Sequence, residues 1–313
     1  MKVHTEITAL PYFKNAVVTI GTFDGVHLGH RQIINQLKEE ALKINGETVI
    51  ITFYPHPRKV IGLKTQLHLI NTPQEKQELL AAQGVDHLVI VPFTQHFADQ
   101  TAEGYVENFL IKYFHPHTLI IGYDHRFGKG REGDFHLLEQ YSSNHKFHLI
   151  EIPQHLLHKS AISSTRIREN LLSGNLEEAN ELLGYDYFFE GSIVEGDKLG
   201  RTIGYPTANL QILEAEKLVP GNGVYAVLAE LKNIDKPFIK GMMNIGVRPT
   251  VNGTKRVIEV HLLDFNGNVY GETLKVSLKK YLRSEQKFNG LKELKEQLAK
   301  DKEQVQRLKF EVG

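Results

Sequence analysis

Ala16-Val17-Val18-Thr19-Ile20-Gly21-Thr22-Phe23-Asp24-Gly25-Val26-His27-Leu28-Gly29-His30 decides how the first half of this chain is read. The β-branched run Ala16–Ile20 predicts a strand, and Ile33, Ile34 and Leu37 on one side of the following residues predict a helix from about Leu28. Glycines at 21, 25 and 29 permit tight turning and close backbone approach. The helix N-terminus offers unpaired N–H groups and the positive end of its dipole to an anion. His27 and His30, one turn apart, lie on one side and point at one ligand group. One histidine among 16 means little, but a pair in this setting fits a nucleotide phosphate. The alternative is a metal site, which lacks a third and fourth protein ligand nearby.

Outward from this stretch, short β-branched runs alternate with helical periodicity as far as residue 184. Strands are predicted at Ala16–Ile20, Thr48–Phe53, Leu88–Val91, Thr118–Ile121 and Phe147–Ile152. Helices are predicted at 28–43, 73–83 (opened by Thr72 and Pro73 as N-cap and first residue), 102–113, 134–141 and 176–183. Such alternation predicts a Rossmann-like α/β domain with a doubly wound parallel sheet, whose ligands sit at the carboxyl ends of the strands. From Tyr187 the runs Tyr187–Val194, Gly223–Leu231, Pro237–Ile245, Arg256–Phe265 and Thr273–Leu282 follow one another without helices between them. Phe265-Asn266-Gly267-Asn268 reads as a hairpin turn, and the set predicts an antiparallel, Greek-key-type β-barrel closed by a charged amphipathic helix over 291–310. The boundary is expected near Gly184-Tyr185, giving domains 1–184 and 185–313.

The length of 313 residues allows two domains, each with its own core. Lys+Arg and Asp+Glu are 37 each, so no overall field favours nucleic acid or an anionic membrane, and neither is expected as a partner. The absence of cysteine excludes disulfides, thiolate catalysis and cysteine zinc sites. Met1-Lys2-Val3-His4-Thr5-Glu6 lacks a basic-then-apolar signal pattern and the apolar runs are strand-sized, so a cytoplasmic protein is expected. Oligomeric state stays open.

His-x-Gly-His after a strand matches the signature of the nucleotidylyltransferase superfamily, in which the histidines stabilise charge on an α-phosphate while pyrophosphate leaves. Three further segments belong with it. Thr52-Phe53-Tyr54-Pro55-His56-Pro57 ends the next strand in a proline-fixed turn. Gly122-Tyr123-Asp124-His125-Arg126-Phe127-Gly128-Lys129-Gly130-Arg131 mixes glycines with three cations, and Ser163-Ser164-Thr165-Arg166-Ile167-Arg168 opens a helix with hydroxyl caps and two arginines, suited to a polyphosphate. Together and in this order they resemble the FMN adenylyltransferase module of the prokaryotic bifunctional riboflavin kinase/FAD synthetases. The resemblance implies attack of the FMN phosphate on the α-phosphorus of ATP, with Mg²⁺. It makes His27 and His30 catalytic, and assigns ATP to Gly21, Phe23, Asp24, Gly29, Ser163, Ser164, Thr165 and Arg168. It assigns the flavin to His56, Asp124, Phe127 and Arg131. His125 stands where that family usually carries an aromatic.

In the second half, Gly196-Asp197-Lys198-Leu199-Gly200-Arg201-Thr202-Ile203-Gly204-Tyr205-Pro206-Thr207-Ala208-Asn209 places three glycines among cationic and hydroxyl residues, a loop able to wrap phosphates. Thr207 and Asn209, two apart on an extended segment, show two hard oxygens to one side, which suits Mg²⁺. Glu259 and His261 share a strand face with Val257 and Leu263, and a carboxylate among apolar neighbours is a candidate general base. With Gly223-Val224-Tyr225, Asn244-Ile245-Gly246 and Pro249-Thr250, these segments are similar to riboflavin kinase. That resemblance implies transfer of the ATP γ-phosphoryl group to riboflavin. It assigns ATP to Gly196, Lys198, Gly200, Arg201, Gly204, Thr207 and Asn209, Mg²⁺ to Thr207 and Asn209, and the flavin to Glu259 and Arg283, with Glu259 as base. The whole implies a two-step route from riboflavin through FMN to FAD using ATP. The alternative is a riboflavin kinase whose N-terminal domain is inactive or regulatory.

Overall fold

The computed structural model describes residues 1–62, 67–145, 147–152, 162–196, 199–231, 238–250 and 253–310. Contacts divide the chain into two units, Met1–Ser164 and Thr165–Gly313.

In the first unit, β1 (Lys2–His4), β2 (Val17–Ile20), β3 (Thr48–Tyr54), β4 (His87–Pro92), β5 (Thr118–Gly122) and β6 (His148–Ile152) form one parallel sheet in the order β1-β4-β3-β2-β5-β6. Side chains alternate along a strand, so successive residues enter different layers. Val17, Ile50, Leu88 and Ile120 pack with Ile34 and Leu37 of α1 (Leu28–Lys43) and Leu80 of α2 (Pro73–Ala82). Val18, Val49, Val89 and Leu119 pack on the other face against the helical run over 102–114, whose middle, Val106–Ile111, is wound as a π-helix. Both faces are therefore covered, which accounts for the continuous apolar strands. A further helix, α3 (Phe135–His145), precedes β6. Strand order reverses between β2 and β5, so the crevice at a doubly wound sheet's switch point opens beyond Ile20 and Gly122. Strand β1, three residues long, is too short to show a period, and the sequence reading passed over it.

The second unit begins with α4 (Ser164–Ser173, its first residue lying in the first unit) and α5 (Leu176–Leu183). β7 (Phe188–Val194), β8 (Ala208–Gln211), β9 (Gly223–Leu231), β10 (Phe238–Thr250), β11 (Gly253–Leu262) and β12 (Thr273–Arg283) close into an antiparallel barrel in the order β10-β11-β8-β7-β12-β9. A short helix α6 (Leu199–Thr202) precedes β8, and α7 (Leu291–Arg307) follows β12.

Two expectations are corrected here. The Asn266-Gly267 turn joins β11 to β12, but these are not neighbours: β11 pairs with β10 and β8, while β12 pairs with β7 and β9. The tight hairpin is instead β10–β11, with Thr250 opposite Gly253; β10 runs on past the expected Ile245 to Thr250, and β11 spans Gly253–Leu262 rather than Arg256–Phe265. Strand β8 begins at Ala208, at the end of the segment read as a phosphate loop and on the stretch expected to be extended. By contacts, α5 is grouped with the barrel, in the unit that begins at Thr165. Helix α5 is fastened to the barrel, since the Asn180 side chain donates to the Leu278 carbonyl at 2.9 Å and accepts from the Tyr187 N–H at 2.8 Å.

Candidate active sites

The turn after β2 is held from several sides. Phe23 and Val26 take left-handed φ values of 48° and 36°, a strained arrangement for a β-branched residue, and both are buried. Asp24, 1% exposed, accepts the Ile70 N–H at 3.0 Å and the Asn71 N–H at 3.3 Å, while the Ser164 hydroxyl donates to the Asp24 carbonyl at 2.9 Å. Lys76 of α2 donates to the Thr22 carbonyl at 2.6 Å. The turn ends with His27 as the N-cap of α1, its Nδ1 accepting the His30 N–H at 3.3 Å, which leaves the ring proton of the neutral form on Nε2.

His30 stacks on His27 with ring centroids 3.7 Å apart, and Phe23 tilts against His30 at 5.0 Å. Gly29 leaves room for the His27 ring: a Cβ there would stand 3.2 Å from it, and the ring would have to shift by a few tenths of an ångström. Burial, then the neighbouring charges of His27 and Lys76, hold His30 well below the ordinary histidine range. His30 Nδ1 is buried with no hydrogen-bond partner among the described residues. A neutral, prepositioned imidazole of this kind can donate to an incoming oxyanion.

The remaining expected residues of the first unit fall into two groups. Ser163 and Ser164 reach the turn through the Ser164–Asp24 bond. The division passes between Ser164 and Thr165, so Thr165 and Arg168 belong to the second unit. His56 caps the turn Pro57–Val60 by accepting the Arg58 N–H at 3.2 Å, and the Tyr54–Pro55 bond is cis. Asp124 and Arg131 are exposed on the loop after β5. Phe127 is a core residue, 5% exposed and stacked on Tyr105 at 5.0 Å, and it holds the loop that carries the exposed pair. Phe23 and Asp24 likewise shape the turn from within.

In the second unit, a cavity of about 510 Å³ is lined by Thr207, Asn244, Glu259, His261 and Arg283 together with apolar residues including Val247, Phe288 and Leu294. Its polar row follows from strand register. Asn244 of β10 is opposite Glu259 of β11, and Glu259 is opposite Asn209 of β8, so three cross-strand neighbours share one face. Two glycines admit the loop that precedes β8. A Cβ at Gly196 would lie 2.0 Å from the Asn209 amide, and one at Gly200 would lie 2.2 Å from the Tyr205 carbonyl. Gly204 takes a φ of 85°, and Arg201 is exposed beside it. Lys198 lies outside the described residues.

The expectation of a carboxylate among apolar neighbours is modified. Glu259 is ion-paired with Arg248 at 2.5 Å, a residue the sequence reading did not single out. Arg283 makes a forked pair with Asp301 of α7, with bonds of 3.1, 3.1 and 2.7 Å, and Asp301 is 1% exposed. The terminal helix is therefore more than a solvated face: it walls the cavity with Leu291, Leu294 and Leu298 and buries Asp301. Arg248, Asp301 and Lys76 were missed because a single charge carries no pattern; the signal that could have found Asp301 was an acid at the i+3 spacing from the apolar Leu298 on that helix's inner stripe.

A family model for FAD synthetase matches residues 10–166, and one for riboflavin kinase matches residues 183–309. The bifunctional riboflavin kinase/FMN adenylyltransferase of Escherichia coli strain K12 is 40% identical over 92% of this chain and 91% of its own length. The protein of the same description from Listeria monocytogenes is 38% identical over 92% of this chain and 91% of its own. A crystal structure described as a macrolide-efflux protein of Streptococcus pneumoniae is similar with a TM-score of 0.87 and 30% identity, covering 98% of this chain and 99% of that one. Among the described residues of the present chain, no helix is long and apolar enough to cross a membrane.

Proposed function

The chain belongs to the family of bifunctional riboflavin kinase/FMN adenylyltransferases, and from that premise we propose how its own residues divide two reactions. The barrel unit transfers the γ-phosphoryl group of ATP to riboflavin, giving FMN. The parallel-sheet domain transfers the adenylyl group of a second ATP to FMN, giving FAD and pyrophosphate. The observation that carries this reading is the presence, in one chain, of a paired-histidine turn at the switch point and a separate cavity holding Thr207 and Glu259.

In the first reaction Glu259 accepts the proton of the attacking hydroxyl on Oε1, while Arg248 holds Oε2. Arg283, tied to Asp301, keeps α7 against the cavity that takes the flavin. The hydroxyl of Thr207 and the amide oxygen of Asn209 are hard donors on one segment, with Asn209 opposite Glu259, and this set fits Mg²⁺ beside nucleotide phosphates. A Mg²⁺ held there would supply neutralisation of charge on the transferred phosphoryl group.

In the second reaction His27 and His30 donate hydrogen bonds to the α-phosphate, where negative charge builds as the FMN phosphate attacks. The N-terminus of α1 adds its dipole, and Ser163 and Ser164 hold the β- and γ-phosphates. His56, Asp124 and Arg131 face the flavin side. We place the division between functional modules near residue 184 and the protein in the cytoplasm, with which a chain lacking cysteine is compatible. Incubating the purified protein with riboflavin, ATP and Mg²⁺ and separating the flavins tests the reading. FMN followed by FAD is expected. FMN alone removes the adenylyltransferase assignment, and unchanged riboflavin removes the kinase assignment.

A further inference from the structure

The segment carrying Thr207 is gripped by one side chain that no step above uses. The β8–β11 ladder reaches Val260 opposite Ala208 and extends no further towards Thr207. Before Thr207 stands Pro206, which has no N–H, so the backbone there can only accept. His261 Nδ1 stands 2.7 Å from the Pro206 carbonyl oxygen. A carbonyl cannot donate, so Nδ1 carries the proton, and the imidazole supplies the donor that the backbone ladder lacks. The Tyr205 ring meets the same imidazole edge-on at 5.2 Å, and the Tyr205 N–H donates to the Gly200 carbonyl at 2.8 Å. His261 thus touches two consecutive residues of the loop while lining the same cavity as Glu259, two positions away on β11.

We infer that His261 is a positioning residue for phosphoryl transfer: through the Pro206 carbonyl it fixes the Thr207–Asn209 segment, and hence the nucleotide's polyphosphate, relative to Glu259. The inference rests on the kinase reading of the cavity and adds to it a residue that acts through the loop. Its role is geometric. A donor held at the Nδ1 position suffices, whatever the rest of the ring does.

The test compares His261→Ala, His261→Asn and His261→Gln in the full chain. The asparagine amide nitrogen falls near the position of Nδ1, whereas that of glutamine reaches the Nε2 position. In FMN formation the alanine variant is expected to raise the KM for ATP about tenfold with a smaller fall in kcat, and asparagine to return it to within about threefold of wild type. Glutamine should resemble alanine, and the Asn–Gln contrast decides the matter if the alanine variant does not fold. FAD formation from supplied FMN, measured on the same preparations, should be unchanged. Histidine ¹⁵N spectra of the wild-type protein should show the His261 ring as its Nδ1–H tautomer. Equal KM in all variants, equal impairment of Asn and Gln, or an Nε2–H tautomer would overturn the inference. If the wild-type protein forms no FMN, the kinase reading itself falls and takes this inference with it; the tautomer signature would then report the loop contact alone.

Discussion

The two units display their reactive groups in opposite ways. In the parallel sheet both faces are buried, so chemistry is confined to the strand ends, and His27 and His30 stand at the N-cap and in the first turn of α1, behind a turn that backbone strain and buried anchors fix. In the barrel one strand face lies under α7, and Asn209, Glu259 and Asn244 project from mid-strand positions set by register. The first arrangement relies on a helix terminus and neutral imidazoles, the second on ion pairs and glycine-seated loop contacts. A strand-end site can therefore be lost through its turn without unfolding the sheet, whereas the barrel site is tied to the stability of the wall that bears it.

The sharpest way to break this contrast is Glu259→Gln. FMN formation should fall by about 10²–10⁴-fold, since a proton acceptor is removed, while FAD formation from supplied FMN stays as in wild type. His30→Ala should do the reverse, lowering FAD formation by about 10²–10³-fold and sparing FMN formation. Separate assays with riboflavin and with FMN as substrate check both; either change silencing both reactions in folded protein would contradict a division between the units.

Asp301→Ala addresses stability. It leaves the Arg283 guanidinium, 15% exposed, without its buried carboxylate, and should cost about 3–5 kcal/mol in the barrel's urea transition. Intrinsic fluorescence cannot isolate tryptophan here, as there is none, so circular dichroism or hydrogen exchange resolved by peptide is the measurement. Exchange that rises equally in both units would count against a barrel-specific effect.

The smallest effect concerns His125. Burial moves this ring from its ordinary 6.5 down to about 4, with Asp124 opposing and Arg131 adding to the shift. Between those values the unfolded chain takes up a proton that the folded chain refuses. Its stabilising contribution is whole above pH 6.5 and is lost as pH falls to about 4. His125→Phe should flatten the dependence of the melting temperature on pH across that window; an unchanged slope would remove the ring from the account.

Much of this organisation was legible because it repeats. The strand-helix alternation of the first half, the histidine pair and the Pro206-Thr207 segment are local patterns, and the structure forms the expected sheet and barrel. The features that escaped are those set by distance in sequence. Strand β8 has four residues and is recognisable only through its partners β7 and β11. The Asn266-Gly267 turn has hairpin chemistry, but closure of the barrel pairs β12 with β7 and β9 instead. Arg248 meets Glu259, and Asp301 meets Arg283, across strands and a helix whose approach no local pattern encodes. Phe127 lies within a motif, yet its side chain serves the core.

The central claim, two independent sites in one chain, is tested most directly by mixing the two single-site variants. Incubated alone with riboflavin, ATP and Mg²⁺, the His30→Ala protein should stop at FMN and the Glu259→Gln protein should leave riboflavin unchanged. Together they should produce FAD, because FMN made by one is adenylylated by the other. Failure of the mixture to form FAD, with each variant folded and retaining its own remaining reaction, would contradict the account.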